Sequence, residues 1–371
     1  MKNMTAEQIL EQLVGHRTVV GSSNLALVAV IAEYLEGHGA RVKLMTGPEG
    51  DRANLFATIG DASRPGYVLS GHTDVVPAQE PEWRDDPFVL RRDGDRLIAR
   101  GACDMKGFNA AVLAAVPKLA AMPLGGPIHI ALSYDEEAGC RGVPHMIARL
   151  PELCAPAVGC IVGEPTGLRP VLAHKGKAAV RLSARGVPGH SSRPDKGVNA
   201  IHALLPALTA AARQAAALEH AGRDARFQPP WSTVQIGTVE GGTAVNIIPE
   251  DAHATIEARA IAGVDPRALI APVLEAAGDR VRAEWLSTYP ALALAGDAPL
   301  AGLIQRVSGA TPMQAVSFGT EAGLFQAAGI PSVICGPGDI ARAHRPEEYL
   351  TRQELDATVR MILRLGVDLS S

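Results

Sequence analysis

Seven side chains of this 371-residue sequence could do chemistry together: His72, Asp74, Asp104, Glu136, Glu137, Glu164 and His344. All are imidazoles or carboxylates, the donor set that suits zinc, cobalt or manganese. Five of them, His72, Asp104, Glu137, Glu164 and His344, are spaced 32, 33, 27 and 180 residues apart. Such spacing puts each on a separate loop. Five ligands that include three carboxylates can hold two divalent cations if one carboxylate bridges. Two cations about 3.5–4 Å apart clamp both an attacking hydroxide and the oxygen of a scissile carbonyl. Amide hydrolysis also needs a proton carrier, and Glu136, beside the candidate ligand Glu137, is well placed for it. Singly, each residue has an ordinary explanation: a lone histidine is usually a core or surface residue, and adjacent glutamates usually open a solvated helix. The weight lies in the set and its order.

Positioning these residues requires an α/β sheet. Apolar spacing predicts helices over 6–14, 24–38 and 106–121, with Thr5 and Ser23 as N-caps. Buried strands are expected over 54–59, 67–70, 128–134, 158–162 and 332–335. Three of these run directly into His72-Thr73-Asp74, Asp135-Glu136-Glu137 and Gly163-Glu164-Pro165. Sites in such sheets gather at the carboxyl ends of the strands. After Lys175 the pattern becomes βαββαβ over about 110 residues, a ferredoxin-like unit inserted into the first domain. The expected division is 1–175 and 289–371 for one domain and 176–288 for the insert.

Composition bounds the function. The chain has 35 Lys plus Arg, 39 Asp plus Glu and a net charge of −4, which disfavours nucleic-acid binding. Five cysteines, at 103, 140, 154, 160 and 335, form no zinc-finger ladder, and an odd count argues against a disulfide scaffold. Cys103 is expected to be a small buried residue, not a ligand. The first residues lack the apolar run of a signal peptide, and the Ala-rich stretch 199–218 is too polar for a membrane span. The expectation is a cytoplasmic protein with no membrane or nucleic-acid partner.

Six motifs occur in order: SGHTDVVP (Ser70–Pro77), GACDMKG (Gly101–Gly107), SYDEEAGCRG (Ser133–Gly142), GEPT (Gly163–Thr166), FGTEAGLFQ (Phe318–Gln326) and CGPGDIARAHRPEEY (Cys335–Tyr349). On these the sequence resembles the M20 family of co-catalytic metallohydrolases over essentially its whole length. AHKG (Ala173–Gly176), with the last two motifs, points within that family towards the acetylornithine deacetylases. The resemblance implies a zinc-aminopeptidase-like catalytic domain, with a central mixed sheet flanked by helices. The inserted βαββαβ unit would be a lid through which the chain forms a homodimer. The implied activity is metal-dependent deacetylation of N-acetyl-L-ornithine to L-ornithine and acetate, in arginine biosynthesis.

Carried over by position, Asp104 would bridge two divalent ions, zinc first, with cobalt or manganese as alternatives. His72 and Glu164 would complete one site, Glu137 and His344 the other. Glu136 would be the general base, and Asp74 would hold the His72 imidazole in its ligating tautomer. A cis peptide is implied after Asp104. In the insert, His190 would stabilise the oxyanion, and Asn246 and Arg259 would contact substrate. Gly319, Thr320 and Glu321 form a candidate substrate loop. Charge alone suggests that Glu321 meets the cationic side chain of ornithine. Other N-acyl amino acid amidases, succinyl-diaminopimelate desuccinylases and metallopeptidases share the metal core, so that core does not choose among them. A non-catalytic metal-binding regulator would have no need of Glu136. A zinc dehydrogenase lacks support, because no GxGxxG turn follows a strand.

Overall fold

The computed structural model describes residues 4–313 and 315–370. The chain divides into two compact units. The first comprises residues up to Leu172, the segment 294–314 and everything from Thr320 onward; the second comprises Ala173–Ala293 and Ala315–Gly319.

The first unit is built on a six-stranded sheet. Its strand order is Arg41–Thr46, Ala53–Ile59, Ile128–Ser133, Tyr67–His72, Gly159–Pro165 and Ser332–Gly336. The last four are mutually parallel, while Ala53–Ile59 runs antiparallel to both of its neighbours, so the sheet is mixed. The strands Ala53–Ile59, Ile128–Ser133, Gly159–Pro165 and Ser332–Gly336 are buried along their whole length. That matches their apolar runs, since a sheet covered on both faces needs no polar alternation. The helix Lys106–Ala120 buries most of its residues and packs against the helices Ala6–Gly15 and Arg352–Asp368. Thr5 caps the first helix through a full capping box with Gln8. At the second helix, Leu25–Glu36, Ser23 Oγ accepts from the Leu25 N–H, but the N-cap residue is Asn24, whose buried side chain bonds to Ala53 and Thr73 instead.

Two functional strands run further than the sequence pattern predicts. The first ends at His72 and the second passes through Glu164 to Pro165. Side chains at those ends therefore inherit the rigidity of the ladder. Close packing explains the glycines beside them. A Cβ on Gly71 would lie 2.3 Å from Asn109 Oδ1, and one on Gly163 would lie 2.0 Å from the Phe108 ring. The edge strand Arg41–Thr46 was not expected from sequence; it is short and mostly exposed, so no apolar period announces it.

The second unit has the βαββαβ order. Its antiparallel sheet runs Thr233–Gly241, Asp251–Ala260, Gly176–Arg185, Val281–Tyr289. Burial alternates along Gly176–Arg185 and Asp251–Ala260. The inward residues, among them Val180, Leu182, Ala254 and Ile256, pack with Leu204, Ala207, Leu269 and Ile270 of the helices Ala200–Leu218 and Pro266–Ala276. Alternation of this kind marks a sheet covered on one face only. The edge strand Thr233–Gly241 is largely exposed. No helix among the described residues is long and apolar enough to cross a membrane.

Candidate metal centre

The five separated donors converge in the first unit. His72 Nε2 lies 3.0 Å from Asp104 Oδ1 and 3.8 Å from Glu164 Oε1. His344 Nε2 lies 3.3 Å from Asp104 Oδ2 and 3.0 Å from Glu137 Oε1. Asp104 thus turns one carboxylate oxygen to each imidazole, and a second carboxylate stands on each side. His72, Asp104 and Glu164 are buried, while half of the His344 side chain is open to solvent. Glu136 brings an oxygen within 4.8 Å of donor atoms on both His72 and Glu164.

Each donor is held by its element. His72 closes a strand, and its carbonyl accepts from Asn109 Nδ2 at 2.7 Å, which ties it to the helix behind. Asp104 stands before the helix Lys106–Ala120, and the Asp104–Met105 peptide is cis. Lys106 is fully buried and donates to the carbonyls of Leu13 and His16, fastening the two helices together. His344 adopts left-handed backbone, φ 58°, in the loop before Tyr349–Thr351.

Asp74 meets His72 through its main chain. His72 Nδ1 donates to its backbone carbonyl at 2.9 Å, while the nearer carboxylate oxygen is 3.6 Å away. The carboxylate instead accepts the N–H groups of Glu136 and Glu137, each at 3.1 Å. One residue therefore fixes the tautomer with its main chain and the paired glutamates with its side chain.

The electrostatics are those of a crowded anionic cluster. Burial, with Asp104 and Glu136 close by, pushes Glu164 well above the usual carboxyl range. Burial raises Asp74 to about 6. Burial raises Glu136 to about 8, opposed by His72 and reinforced by Glu137 and Asp74. Hydrogen bonds that His344 donates to Asp104 and Glu137 raise it to about 10. His72 also rises, because Asp104, Asp74 and Glu164 outweigh its burial. Asp104 alone is held down: burial works against it, but hydrogen bonds from His344 and His72 prevail. Left to its own charges, the cluster draws protons onto groups that would ligate as free bases. Two imidazoles and three carboxylates, paired across one aspartate, are a donor set that divalent cations fit.

Glu321 corrects an expectation. It is 1% exposed, and its two oxygens accept from Ser70 Oγ at 2.5 Å and Ser133 Oγ at 2.8 Å. A carboxylate so enclosed is not presented to a cationic substrate. Thr320 is also buried, its hydroxyl accepting the Ala322 N–H ahead of the helix Ala322–Ala327. Cys103 is buried and points its thiol at the Asp339 carbonyl.

The remaining candidates lie in the second unit. His190 and Asn246 meet on a small ribbon, where His190 pairs with Ile247 and the Asn246 carbonyl accepts from Ser191 N. Both side chains are exposed. His190 Nδ1 accepts the Ser192 N–H at 3.2 Å, with Ser192 Oγ at 2.7 Å. That leaves the proton on Nε2, the tautomer an oxyanion donor needs. Arg259 is half-buried, gripped by Glu257 at 2.7 Å and bonded to the Tyr289 hydroxyl at 3.3 Å. Gly319 packs on the same ring: a Cβ there would lie 2.4 Å from the Tyr289 oxygen.

Sequence reasoning missed several supports, namely Ser70 and Ser133 on Glu321, Cys140, and the Arg100–Glu348 pair. The Cys140 thiol donates to Glu136 Oε1 at 3.3 Å. Glu348 and Cys140 sat inside recognised motifs, but neither residue type signals a partner on a distant loop.

Comparisons with known proteins follow this geometry. Residues 68–367 match the model of Peptidase family M20/M25/M40. An acetylornithine deacetylase of Pasteurella multocida (strain Pm70) is 33% identical over 355 residues, covering 92% of this chain and 91% of its own. Another, from Myxococcus xanthus, is 34% identical, with 93% and 92% covered. Among solved structures, an M20 metallo-carboxypeptidase of Sulfolobus solfataricus superposes with a TM-score of 0.82 at 18% identity, over all of both chains. A dinuclear metal-binding M20 peptidase of Bacillus subtilis gives 0.64 at 16%, over 98% of each.

Proposed function

The chain belongs to Peptidase family M20/M25/M40, and from that membership we propose that it is a di-metal amidase deacetylating N-acetyl-L-ornithine. The observation that carries the chemistry is Asp104, whose two oxygens face His72 and His344 at 3.0 and 3.3 Å with Glu136 alongside. The full-length likeness to acetylornithine deacetylases supports the substrate.

His72, Asp104 and Glu164 would hold one ion and His344, Asp104 and Glu137 the other. Zinc fits first, with cobalt or manganese as alternatives. Ions held there would supply an activated water and polarise the scissile carbonyl. Glu136 takes the proton of the attacking water and delivers it to the leaving nitrogen, while Asp74 keeps the two glutamate amides in place. His190, with its proton on Nε2, is assigned the oxyanion, and Arg259 and Asn246 the substrate's polar groups. A homodimer formed through the exposed edge of the second unit belongs to the same reading.

The test is amine release from N-acetyl-L-ornithine beside N-succinyl-diaminopimelate, N-acetyl-L-methionine and a dipeptide. Preference for acetylornithine, lost on chelation and restored by zinc or cobalt, supports both mechanism and substrate. Metal-dependent preference for another of the four keeps the mechanism and rejects the substrate.

A further inference from the structure

Glu347 and Glu348 are adjacent, yet their surroundings are opposite. Glu347 is partly open and pairs with Arg84 and Arg91 at the surface. Glu348 is 1% exposed, and every contact of its carboxylate is internal. Its Oε1 accepts the N–H groups of Cys103 at 2.9 Å and Asp104 at 3.0 Å. Its Oε2 accepts from Arg100 Nη1 at 2.8 Å. The Arg100 guanidinium, equally buried, also donates to the carbonyls of Arg345 at 3.3 Å and Pro77 at 3.2 Å and to Glu80. The ring of Trp83 covers it, 5.2 Å from centroid to guanidinium carbon.

These contacts reach three loops. Pro77 follows His72 and Asp74, Cys103 and Asp104 are the bridging position and its neighbour, and Arg345 follows His344. No atom of the pair is itself a donor of the candidate centre. Buried ion pairs contribute little to net stability, because desolvation offsets their attraction. Stability alone is therefore a poor reason to place one where three donor loops meet.

We infer that Arg100 and Glu348 are positioning residues of the metal centre, a buried pair that sets Asp104 relative to His344 and thereby the affinity for the ion between them. The inference rests on the di-metal reading above. Glu348 orients the Asp104 main chain through two amides, and Arg100 carries that constraint to the His344 loop.

The experiment is calorimetric titration of chelator-treated protein with Zn2+ and with Co2+, for the unmodified chain, Glu348→Gln and Arg100→Lys. Glutamine keeps the size and loses the charge; lysine keeps the charge and loses the forked contacts. Expected are two tight ions in the unmodified chain and, in each variant, one of the two bound about 10–100-fold more weakly. The visible Co2+ spectrum of that ion should change, and the rise in melting temperature on adding metal should shrink. Arg92→Gln, which breaks a surface pair with Glu7 and Glu11, controls for general loss of stability and should leave both affinities unchanged. If Glu348→Gln does not fold, Arg100→Lys decides. Folded variants that bind both ions within twofold of the unmodified chain overturn the inference and leave the di-metal reading standing. An unmodified chain that binds no ion tightly overturns both.

Discussion

The two units keep their chemistry-bearing residues in opposite ways. In the first, His72 and Glu164 lie at or near the ends of buried strands, and the His72 carbonyl is tied to Asn109 on the helix behind. In the second, His190 and Asn246 stand exposed at a ribbon of two residue pairs, where the His190 ring is hydrogen-bonded only to Ser192 among the described residues. The sheet behind them is covered on one face. Buried donors held from several sides are preorganised, which is what cation binding and charge stabilisation demand. Exposed groups on a short ribbon can be removed without disturbing a core. Changes to the donors of the first unit should therefore move metal binding, stability and rate together, and changes to His190 in the second should move rate alone.

The strongest test of that division is Asp104→Asn. Loss of the shared charge should lower turnover of N-acetyl-L-ornithine roughly 10⁴-fold, several kcal/mol of barrier, and weaken both ions in calorimetry. Turnover within tenfold of the unmodified enzyme would break the comparison at its base. Glu136→Gln should lower kcat about 10³-fold while both ions still bind, separating proton transfer from ligation. His190→Ala should cost about 10²-fold in kcat with unchanged melting temperature and metal affinity. A fall in stability there would mean that the ribbon is not the detachable element its exposure indicates.

Glu321→Gln is a smaller and sharper case. The amide nitrogen cannot accept from a serine hydroxyl, so one bond of the Ser70–Glu321–Ser133 network is lost. Urea denaturation should show a loss of about 1–3 kcal/mol, with KM for acetylornithine within twofold. A raised KM at unchanged stability would restore Glu321 to the substrate.

The least effect is one the two units should share. His129 and His174 are buried, and burial lowers each to about 4. Below the ordinary histidine value the unfolded chain takes up protons that the folded chain refuses, so stability falls as pH drops from about 6.5 to about 4. His129→Gln and His174→Gln should each flatten that slope by at most about 1.4 kcal/mol per pH unit in pH-dependent denaturation. A flattening confined to one variant would show that one ring is solvated.

Much of this is legible in the sequence itself. Residue types at strand ends, the order of the motifs and the switch to an alternating pattern after Lys175 depend on local chemistry, which sequence spacing reports. Segment 315–319 illustrates the limit. The sequence assigned it to the second half of the catalytic domain, but it belongs to the second unit, because five residues carry no period of their own. Glu321 illustrates it again: a charge in a loop reads as a substrate contact until two serines, 251 and 188 residues away, close over it.

Periodicity was enough for the α/β sheet and the inserted βαββαβ unit, and the ordered motifs for the donor types and the family likeness, since each is written in neighbouring residues. Which oxygen of Asp104 faces which imidazole, whether Asp74 acts through main chain or side chain, and why Glu348 is buried beside an exposed Glu347 all depended on distant segments meeting. Those questions concern distances of a few ångströms between loops far apart in the chain. Packing sets such distances, and no local pattern of residues encodes them.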